Sequence, residues 1–333
     1  MKIANKRRSL MAAIFGMTLA IGSAQAADTV LKVSHQWSTS DVRHKVAQMV
    51  ADEVAAADVG LELKIYPSKS LFKPKEQYRP LTRGQLDMTV VPLAYAAGQQ
   101  PAYNLTLMPG LVKNHDHAAR LVESPFMQEL EKIMATDDVM VLVHGYLAGG
   151  FAGKSKCITK PEDVKGLKIR AAGKSFEQMV AAAGASVTSM PSSEIYSAMQ
   201  TGVLDAANTS SSSFVSYRLY EQLKCYTPAG DVALWFMYQP MLMNKTTFEG
   251  LNEKQQAALL AGAAKAQAFY LDEAKKADAD SAEKFKEAGV EIAEMSQADF
   301  DAWREVAKAS SYKAFVEETE GGQQLLDMAL AVE

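Results

Sequence analysis

Cysteine is scarce in this sequence, since the 333 residues include only Cys157 and Cys225. Their separation of 68 residues matches neither a Cys-x-x-Cys redox motif nor the spacing of a zinc site. Two alternatives stay open, one disulfide bond in an oxidising compartment or two unpaired buried thiols. The cysteines therefore point to a structural role at most.

Signatures of catalysis and cofactor binding are also missing. No serine lies in a Gly-x-Ser-x-Gly elbow, and the sequence has neither a Gly-x-Gly-x-x-Gly loop nor a phosphate-binding loop. His115 and His117 are two residues apart, which would place their rings on different faces of a helix, and no further ligand cluster lies nearby. We therefore expect no enzymatic activity, no cofactor and no bound metal.

Long apolar runs are missing beyond the N-terminal segment. Residues 1–26 begin with four basic side chains, continue with an apolar run and end in the small-x-small sequence Ala24-Gln25-Ala26. This order is typical of a secretory signal peptide, and the apolar run is too short to span a bilayer. The alternative is a buried N-terminal helix. We predict that 1–26 is a signal peptide and that the mature protein is exported and soluble.

The sequence also has no excess of positive charge. Without the four basic residues of the signal peptide, 31 basic residues face 39 acidic ones, and the net charge changes from −4 to −8. A protein this acidic has no general electrostatic attraction for a phosphate backbone. We therefore expect no nucleic-acid partner.

The sequence does contain an alternation of strand and helix patterns. Apolar residues at helical spacing predict a helix over 38–57, and alternating apolar and polar residues predict a strand over 61–68. Farther along, helices are predicted over 115–136 and 174–183, with one long strand over 139–153 between them. This rhythm indicates an α/β fold with largely parallel sheets, and the chain length suggests roughly two domains.

Two segments of the chain resemble each other. Residues 63–92 and 185–211 each combine a strand that ends near a proline, a helix, a Gly-x-Leu-Asp turn and a second strand. The aspartates of the two turns are Asp87 and Asp205. The repetition predicts two similar α/β lobes. A later run of helical spacing predicts one long helix over 252–286.

Arg170 lies in an otherwise apolar run, residues 166–173, that reads as the end of a strand. A buried charge without a partner is very costly, and ligands of α/β proteins gather at the carboxyl ends of strands. The planar guanidinium matches a carboxylate in bidentate fashion. Arg170 is therefore a candidate for binding an anionic ligand. The alternative is an internal salt bridge to Glu194 or Asp205.

Two motifs carry a resemblance to a known family. The run Pro-Glu-Asp-x-x-Gly-Leu-Lys-Ile-Arg over 161–170 precedes Pro-x-x-Glu-x-Tyr-x-Ala-x-Gln-x-Gly-x-x-Asp over 191–205. With them the chain resembles the DctP-type substrate-binding proteins of tripartite ATP-independent periplasmic (TRAP) transporters. The resemblance implies a two-lobed α/β periplasmic binding protein. Each lobe would have a mixed, mostly parallel sheet flanked by helices, and a long C-terminal helix would bridge both lobes.

The resemblance also implies a division of the chain and a function. Residues 27–147 with 236–275 would form lobe I, and residues 148–235 with 276–333 would form lobe II. The lobes would close over a small organic acid whose carboxylate Arg170 holds. A TRAP permease with one small and one large membrane subunit would then receive the acid. The protein is expected in the periplasm and as a monomer.

Further ligand-binding residues are implied by position. They lie at strand ends and strand-to-helix junctions near the expected cleft: Gln36, Trp37, Tyr95, Tyr146, Phe151, Ser193, Asn208, Thr209 and Trp235, with Gln239 as a weaker candidate. A second arginine that sialic-acid-binding members carry near Gly150 is absent. The pocket is therefore expected to be less polar than a sugar-acid site. A monocarboxylate with an apolar or aromatic body is favoured, and a small sulfonate is an alternative.

Other functions are compatible with an exported two-lobed frame. A periplasmic enzyme would need a base and a nucleophile that converge in the cleft, and the sequence suggests no such pair. A binding protein of an ATP-driven importer or a sensory receptor would share the frame, and the sequence alone does not separate these from a TRAP receptor.

Overall fold

Two β-sheets organise the protein in a computed structural model that describes residues 29–333. The predicted signal peptide, 1–26, lies outside the described residues. The strands of the described chain are β1 (Thr29–Ser34), β2 (Leu61–Tyr66), β3 (Met88–Val90), β4 (Val139–Val143), β5 (Tyr146–Gly153), β6 (Lys168–Ala171), β7 (Ser186–Ser189), β8 (Ala206–Ser210), β9 (Cys225–Thr227), β10 (Trp235–Tyr238), β11 (Met241–Asn244) and β12 (Glu291–Ile292). Its α-helices are α1 (Val42–Ala56), α2 (Tyr78–Thr82), α3 (His115–Val122), α4 (Pro125–Thr136), α5 (Gly173–Ala182), α6 (Ile195–Gln200), α7 (Ser211–Ser216), α8 (Lys245–Glu249), α9 (Glu253–Glu287), α10 (Gln297–Ala307), α11 (Lys313–Glu318) and α12 (Gly322–Leu330).

The first sheet has the strand order β2-β1-β3-β11-β4. β1 pairs in parallel with β2 and β3, and α1 and α2 lie in the crossover connections that parallel neighbours require. β11 comes from late in the chain and pairs antiparallel with both β3 and β4. We call the half of the molecule built on this mixed sheet lobe I.

The second sheet has the strand order β12-β9-β5-β8-β6-β7, and β10 also pairs with β5. β6 is parallel to β7 and β8, whereas β5 is antiparallel to β8, β9 and β10. We call the half built on this sheet lobe II. The two mixed sheets flanked by helices confirm the predicted two-lobed α/β architecture.

The chain passes from one sheet to the other between β4 and β5. The predicted single strand over 139–153 is wrong, because β4 and β5 belong to different sheets. Gly145 lies at the passage, where a Cβ atom would be 1.9 Å from the ring of Tyr270 in α9. The close approach of this helix therefore requires glycine at the point where the backbone changes sheets.

A second passage between the sheets lies between β10 and β11. The sheets thus change at 144–145 and again at 239–240. The boundaries expected from sequence, 147/148 and 235/236, lie a few residues from these passages. The assignment of whole segments to the lobes stays a prediction.

The long helix α9 joins the two lobes. It packs against α1 and β4 of lobe I and against α7 and β12 of lobe II. Asn252 and Gln255 form a capping box at its start, where each side chain accepts from the backbone N–H of the other residue. The predicted bridging helix is confirmed, and residues 288–333 follow it with three more helices.

The internal repeat has a structural counterpart at the two aspartates. Asp87 accepts a hydrogen bond from the backbone N–H of Lys32 at 2.8 Å, and Asp205 accepts one from the backbone N–H of Lys168 at 2.9 Å. Each aspartate thus holds the neighbouring parallel strand of its own sheet. Asp205 is committed to this strand contact.

The predicted helix over 115–136 is interrupted. Ser124 caps α4 through its hydroxyl, and Pro125 occupies the first helical position, where its missing N–H costs nothing. The sequence therefore forms two helices, α3 and α4, instead of one.

Cys157 and Cys225 form a disulfide bond in the structure, with their Cα atoms 5.0 Å apart. Cys225 begins β9, so the bond ties the segment after β5 to the strand beside it.

Candidate functional site

A small, narrow cavity lies between the lobes. Its volume is about 10 Å³, about the room that one water molecule needs. Its lining comes from the start of α1, the turn after β3, the ends of β6 and β8, and β10: Arg43, Pro92, Tyr95, Arg170, Ala172, Ser192, Thr209, Ser210, Ser213, Trp235, Met237 and Gln239. The carboxyl ends of the parallel strands β6 and β8 thus meet here, as expected for a ligand site in an α/β fold.

Arg170 is fully buried beside this cavity and bonds only to neutral acceptors. Its Nε donates to the carbonyl of Met190 at 2.9 Å, and its Nη1 donates to the carbonyl of Asn208 at 2.6 Å. Its Nη2 donates to the Tyr95 hydroxyl of lobe I at 2.9 Å. A guanidinium has five N–H donors, so these three bonds leave two.

The alternative of an internal salt bridge is wrong for the described residues, because their ion pairs do not include Arg170. Asp205 instead bonds to the backbone of β6, and Glu194 is exposed. The cavity therefore presents a buried positive charge that no carboxylate of residues 29–333 contacts. Such a group is costly unless an anion joins it.

Other buried hydrogen-bond donors at or beside the cavity also have no partner among the described residues. They are the indole Nε1 of Trp235, the amide Nε2 of Gln239 and the amide Nδ2 of Asn208. The Tyr95 hydroxyl accepts from Arg170 and from the backbone N–H of Ser192 at 3.2 Å, so its own proton is available. The uncommitted groups are donors, which complements a ligand that presents oxygen acceptors.

A second buried arginine, Arg43, was not among the predicted site residues. Its Nε and Nη2 each donate to a different oxygen of Asp41 at 2.6 Å. Burial raises the pKa of Asp41, but the charge and hydrogen bonds of Arg43 outweigh it and hold the pKa below its ordinary value. The sequence carried one signal for Arg43, since it precedes Ala47 and Val50 at helical spacing on the buried face of α1.

The structure brings several predicted site residues together. Tyr95, Thr209 and Trp235 line the cavity with Arg170, and so does the weaker candidate Gln239. Asn208 lies behind the wall, where its carbonyl accepts from Arg170 and its Oδ1 accepts from the backbone N–H of Ala172 at 3.2 Å.

Gln36, Trp37 and Ser193 are near the cavity but outside its lining. The ring of Trp37 lies under the guanidinium of Arg43 at 4.0 Å, so it supports that arginine. Both polar atoms of the Gln36 side chain and the hydroxyl of Ser193 are buried without a partner among the described residues. At the start of the turn before α6, Ser192 lines the cavity in place of Ser193.

The expectation that Tyr146 and Phe151 line the cavity is corrected by the packing. Phe151 stacks on Trp303 with ring centroids 5.4 Å apart, and Tyr146 packs on Tyr238 with centroids 4.9 Å apart. Burial raises the pKa of Tyr146 well above its usual value. Both rings belong to the apolar core that joins the lobes, because their strand β5 is central in its sheet.

A wider cleft lies on the outer side of Tyr95, and we call it the vestibule. It includes Lys75 and Asn104 of lobe I and Lys174 and Ser189 of lobe II. Lys75 donates across the lobes to the Ser189 hydroxyl at 2.8 Å. Because Tyr95 lines both spaces, its ring separates the vestibule from the cavity.

The comparisons with known proteins cover nearly the whole described chain. The family model described as bacterial extracellular solute-binding protein, family 7, matches residues 33–319. A solute-binding protein of Albidiferax ferrireducens is 36% identical over 333 residues, which cover 97% of this chain and 98% of the relative. A C4-dicarboxylate-binding periplasmic protein of Rhodobacter capsulatus is 25% identical over 308 residues, covering 90% and 91%.

Solved structures of solute-binding proteins are also similar to this chain. The crystal structure of a TRAP periplasmic solute-binding protein from Rhodoferax ferrireducens with bound malonate has a TM-score of 0.86 and 37% identity, covering 90% of this chain and 96% of that one. A Bordetella pertussis solute receptor that binds pyroglutamic acid has a TM-score of 0.82 at 22% identity, covering 90% and 99%. Among the described residues, no helix has both the length and the apolar character to cross a membrane.

Proposed function

The chain belongs to the bacterial extracellular solute-binding proteins of family 7, the DctP-type receptors of TRAP transporters, and from that premise we propose that it captures a small organic acid anion in the cavity between its lobes. The observation that carries the proposal is Arg170, a fully buried guanidinium with two free N–H donors and no carboxylate among its partners. A ligand carboxylate would supply both the missing charge and the missing acceptors.

The remaining affinity must come from the rest of the ligand. A charge-assisted hydrogen-bonded contact contributes about 1.5–3 kcal/mol, whereas micromolar binding needs about 8 kcal/mol. The remaining binding free energy would come from burial of the ligand body against Trp235 and Met237 and from hydrogen bonds donated by Trp235 and Gln239. Closure of the lobes would create this environment by a hinge motion.

The ligand we propose is a carboxylate of few heavy atoms whose other end carries an oxygen acceptor. The narrowness of the cavity, which must widen even for a small acid, and its uncommitted donors both favour this class. Malonate and pyroglutamic acid, the ligands named for two similar structures, both fit the description. An amino acid with a free ammonium group is disfavoured, because the cavity lining contains no Asp, Glu or His side chain.

We further propose that the protein is a receptor without catalytic activity, exported by its N-terminal signal peptide. The lining of the cavity has the hydroxyls of Ser192, Thr209, Ser210 and Ser213 but no Asp, Glu or His side chain that could act as their base. The loaded protein would act as a monomer and deliver its acid to the small and large membrane subunits of a TRAP permease. The seven strands of the second sheet and the five of the first would move as the two lobes.

A ligand screen with one variant tests the proposal. We expect thermal-shift screening of small monocarboxylates, oxo acids, dicarboxylates and sulfonates to find a stabilising acid, and calorimetry to give its Kd. R170A should weaken that binding by at least about 100-fold, because the loss includes a buried charge contact of about 3 kcal/mol. Thermal stability should stay close to that of the wild type, since the variant removes an uncompensated buried charge.

The matched control is K168A, which lies on the same strand with an exposed side chain. It should bind like the wild type. Normal binding by R170A would show that Arg170 has a structural role only, and the proposal would be abandoned.

A further inference from the structure

Arg43 faces the same cavity as Arg170, yet its chemistry is different. We propose that the buried Asp41–Arg43 pair is a clasp between the lobes, which holds the closed arrangement and positions the cavity without binding the ligand. This inference rests on the proposed function, because it concerns how the same cavity is held shut.

Both members of the pair come from lobe I. Asp41 caps α1, and Arg43 lies in its first turn. The side chain of Arg43 is 1% exposed and that of Asp41 is fully buried, and they contact each other at 2.6 Å. The ring of Trp37 covers the guanidinium from one side.

The hydrogen bonds that complete the pair come from lobe II. Arg43 Nη1 donates to Ser210 Oγ at 3.2 Å, and Nη2 donates to Ser213 Oγ at 3.0 Å. The hydroxyl of Ser216 donates to Asp41 Oδ2 at 2.7 Å. These three serines lie at the end of β8 and along α7. The ion pair of lobe I is therefore hydrogen-bonded to hydroxyl groups of lobe II.

Arg43 has no donor left for a ligand. Its five N–H groups serve two bonds to Asp41, one each to Ser210 and Ser213, and one from Nη1 to Gln239 Oε1 at 2.9 Å. Its charge is also compensated by Asp41 at close range. Although Arg43 lines the cavity, it therefore offers a bound anion neither a free donor nor a free charge.

The energetics link the pair to closure. Burying two charges is unfavourable unless their remaining hydrogen-bonding capacity is satisfied. The serines of lobe II satisfy it only when α7 lies against α1. When the lobes part, water replaces the serines, and the pair stays within lobe I. The clasp thus stabilises the closed arrangement relative to the open one. Any acid whose binding requires closure is therefore bound more tightly.

The variant S216A tests the clasp, because Ser216 contacts Asp41 but lies outside the lining of the cavity. We expect calorimetry to show an approximately tenfold weaker Kd for every acid that the wild type binds, as for loss of a hydrogen bond to a charged group. The order of preference among acids should not change, and stopped-flow measurements should show a faster dissociation rate. R43K keeps a positive charge but loses the fork, so it should show the same uniform pattern with a larger loss.

The control is S40A. Ser40 lines a surface cleft together with Ser216, but its hydroxyl bonds to that of Ser38 in its own lobe. S40A should leave Kd unchanged. Unaltered binding by S216A, or a loss by R43K confined to one class of acid, would overturn the clasp.

A failure of the proposed function would be distinguishable from a failure of the clasp. If the wild type binds no acid of the screen, the proposed function fails. The closed fraction, measured by energy transfer between dyes on the two lobes, then decides the clasp. A lower closed fraction in S216A than in the wild type supports it, and equal fractions contradict it.

Discussion

At the scale of single residues, the two buried arginines have opposite electrostatic situations. Arg43 makes five hydrogen bonds, two of them to the carboxylate of Asp41, whereas Arg170 makes three, all to neutral acceptors. The sequence indicated Arg170, because an arginine inside a short apolar strand is conspicuous. Arg43 is harder to find, since arginine is an ordinary residue in an amphipathic helix and its partners lie 167 and 170 residues away.

Tyr95 sets the outer limit of the cavity. The roles of its hydroxyl group and of its ring can be tested separately. Y95F removes the acceptor for Arg170 and Ser192, and we expect about tenfold weaker binding with an unchanged preference for ligand length. Y95A also removes the ring that separates the cavity from the vestibule, so longer acids should gain affinity relative to short ones. Calorimetry with straight-chain acids of increasing length measures this, and equal length preferences in the two variants would contradict the boundary.

His35 gives the protein a predictable sensitivity to acid. Its Nδ1 accepts from the backbone N–H of Trp37 at 3.3 Å, so the neutral ring carries its proton on Nε2, 3.1 Å from His44 Nδ1. Burial, with a smaller contribution from the charge of His44, lowers the pKa of His35 from 6.5 to about 4. Protonation of His35 at Nδ1 would convert this acceptor into a second donor that faces the Trp37 N–H, and the hydrogen bond would be lost.

Stability should therefore fall as the pH decreases from about 6.5 to about 4, because in this window the unfolded chain binds a proton at His35 that the folded protein does not. His35 should lower the free energy of unfolding by about 3 kcal/mol once the pH has fallen through this window. Urea unfolding at pH 7 and at pH 4 measures it. H35N, whose amide oxygen can accept from Trp37, should show a smaller loss between these pH values than the wild type. An identical loss in both proteins would exclude His35 as the cause.

At the scale of elements, the sequence predicted the pieces whose signals are local. The long helix α9 begins at a capping box, and α1 follows a side-chain cap at Asp41. The predicted ends of both helices therefore lie within a few residues of the observed ends. The two wrong element predictions have different causes. The helix predicted over 115–136 is interrupted by a local signal, the Ser124 cap and Pro125. The single strand predicted over 139–153 failed for a long-range reason. A continuous apolar pattern does not reveal that Val139–Val143 and Tyr146–Gly153 pair with strands of different sheets, because that choice depends on partners far along the chain.

Gly145, at the passage between these strands, should be intolerant of a side chain. A Cβ atom in G145A would lie 1.9 Å from the ring of Tyr270, so the variant must displace α9 or the backbone. We expect a loss of about 3 kcal/mol in the free energy of unfolding, measured by urea denaturation. G98A is the matched control, because a Cβ atom there has no neighbour within 4 Å. Equal stabilities of the two variants would show that the passage is not tightly packed.

At the scale of the whole molecule, the two-lobed fold could be predicted, and the composition of the cavity only in part. Strand ends at a sheet edge point to the region of the cavity, and three residues predicted on that basis, Tyr95, Thr209 and Trp235, do line it. Which aromatic rings face the cavity depends on packing across the sheet, and Phe151 stacks on Trp303 from a helix more than a hundred residues later. The closed arrangement then combines an unpaired charge from lobe II with a clasp from lobe I.

The most direct test of the central claim is a crystal structure of the protein with the acid that it binds most tightly. The account predicts that both free N–H donors of Arg170 lie within about 3 Å of the ligand carboxylate, in the cavity bounded by Tyr95, with the Asp41–Arg43 pair intact. A ligand bound in the vestibule at Lys75 and Lys174, with Arg170 still contacting only protein carbonyls and Tyr95, would contradict it.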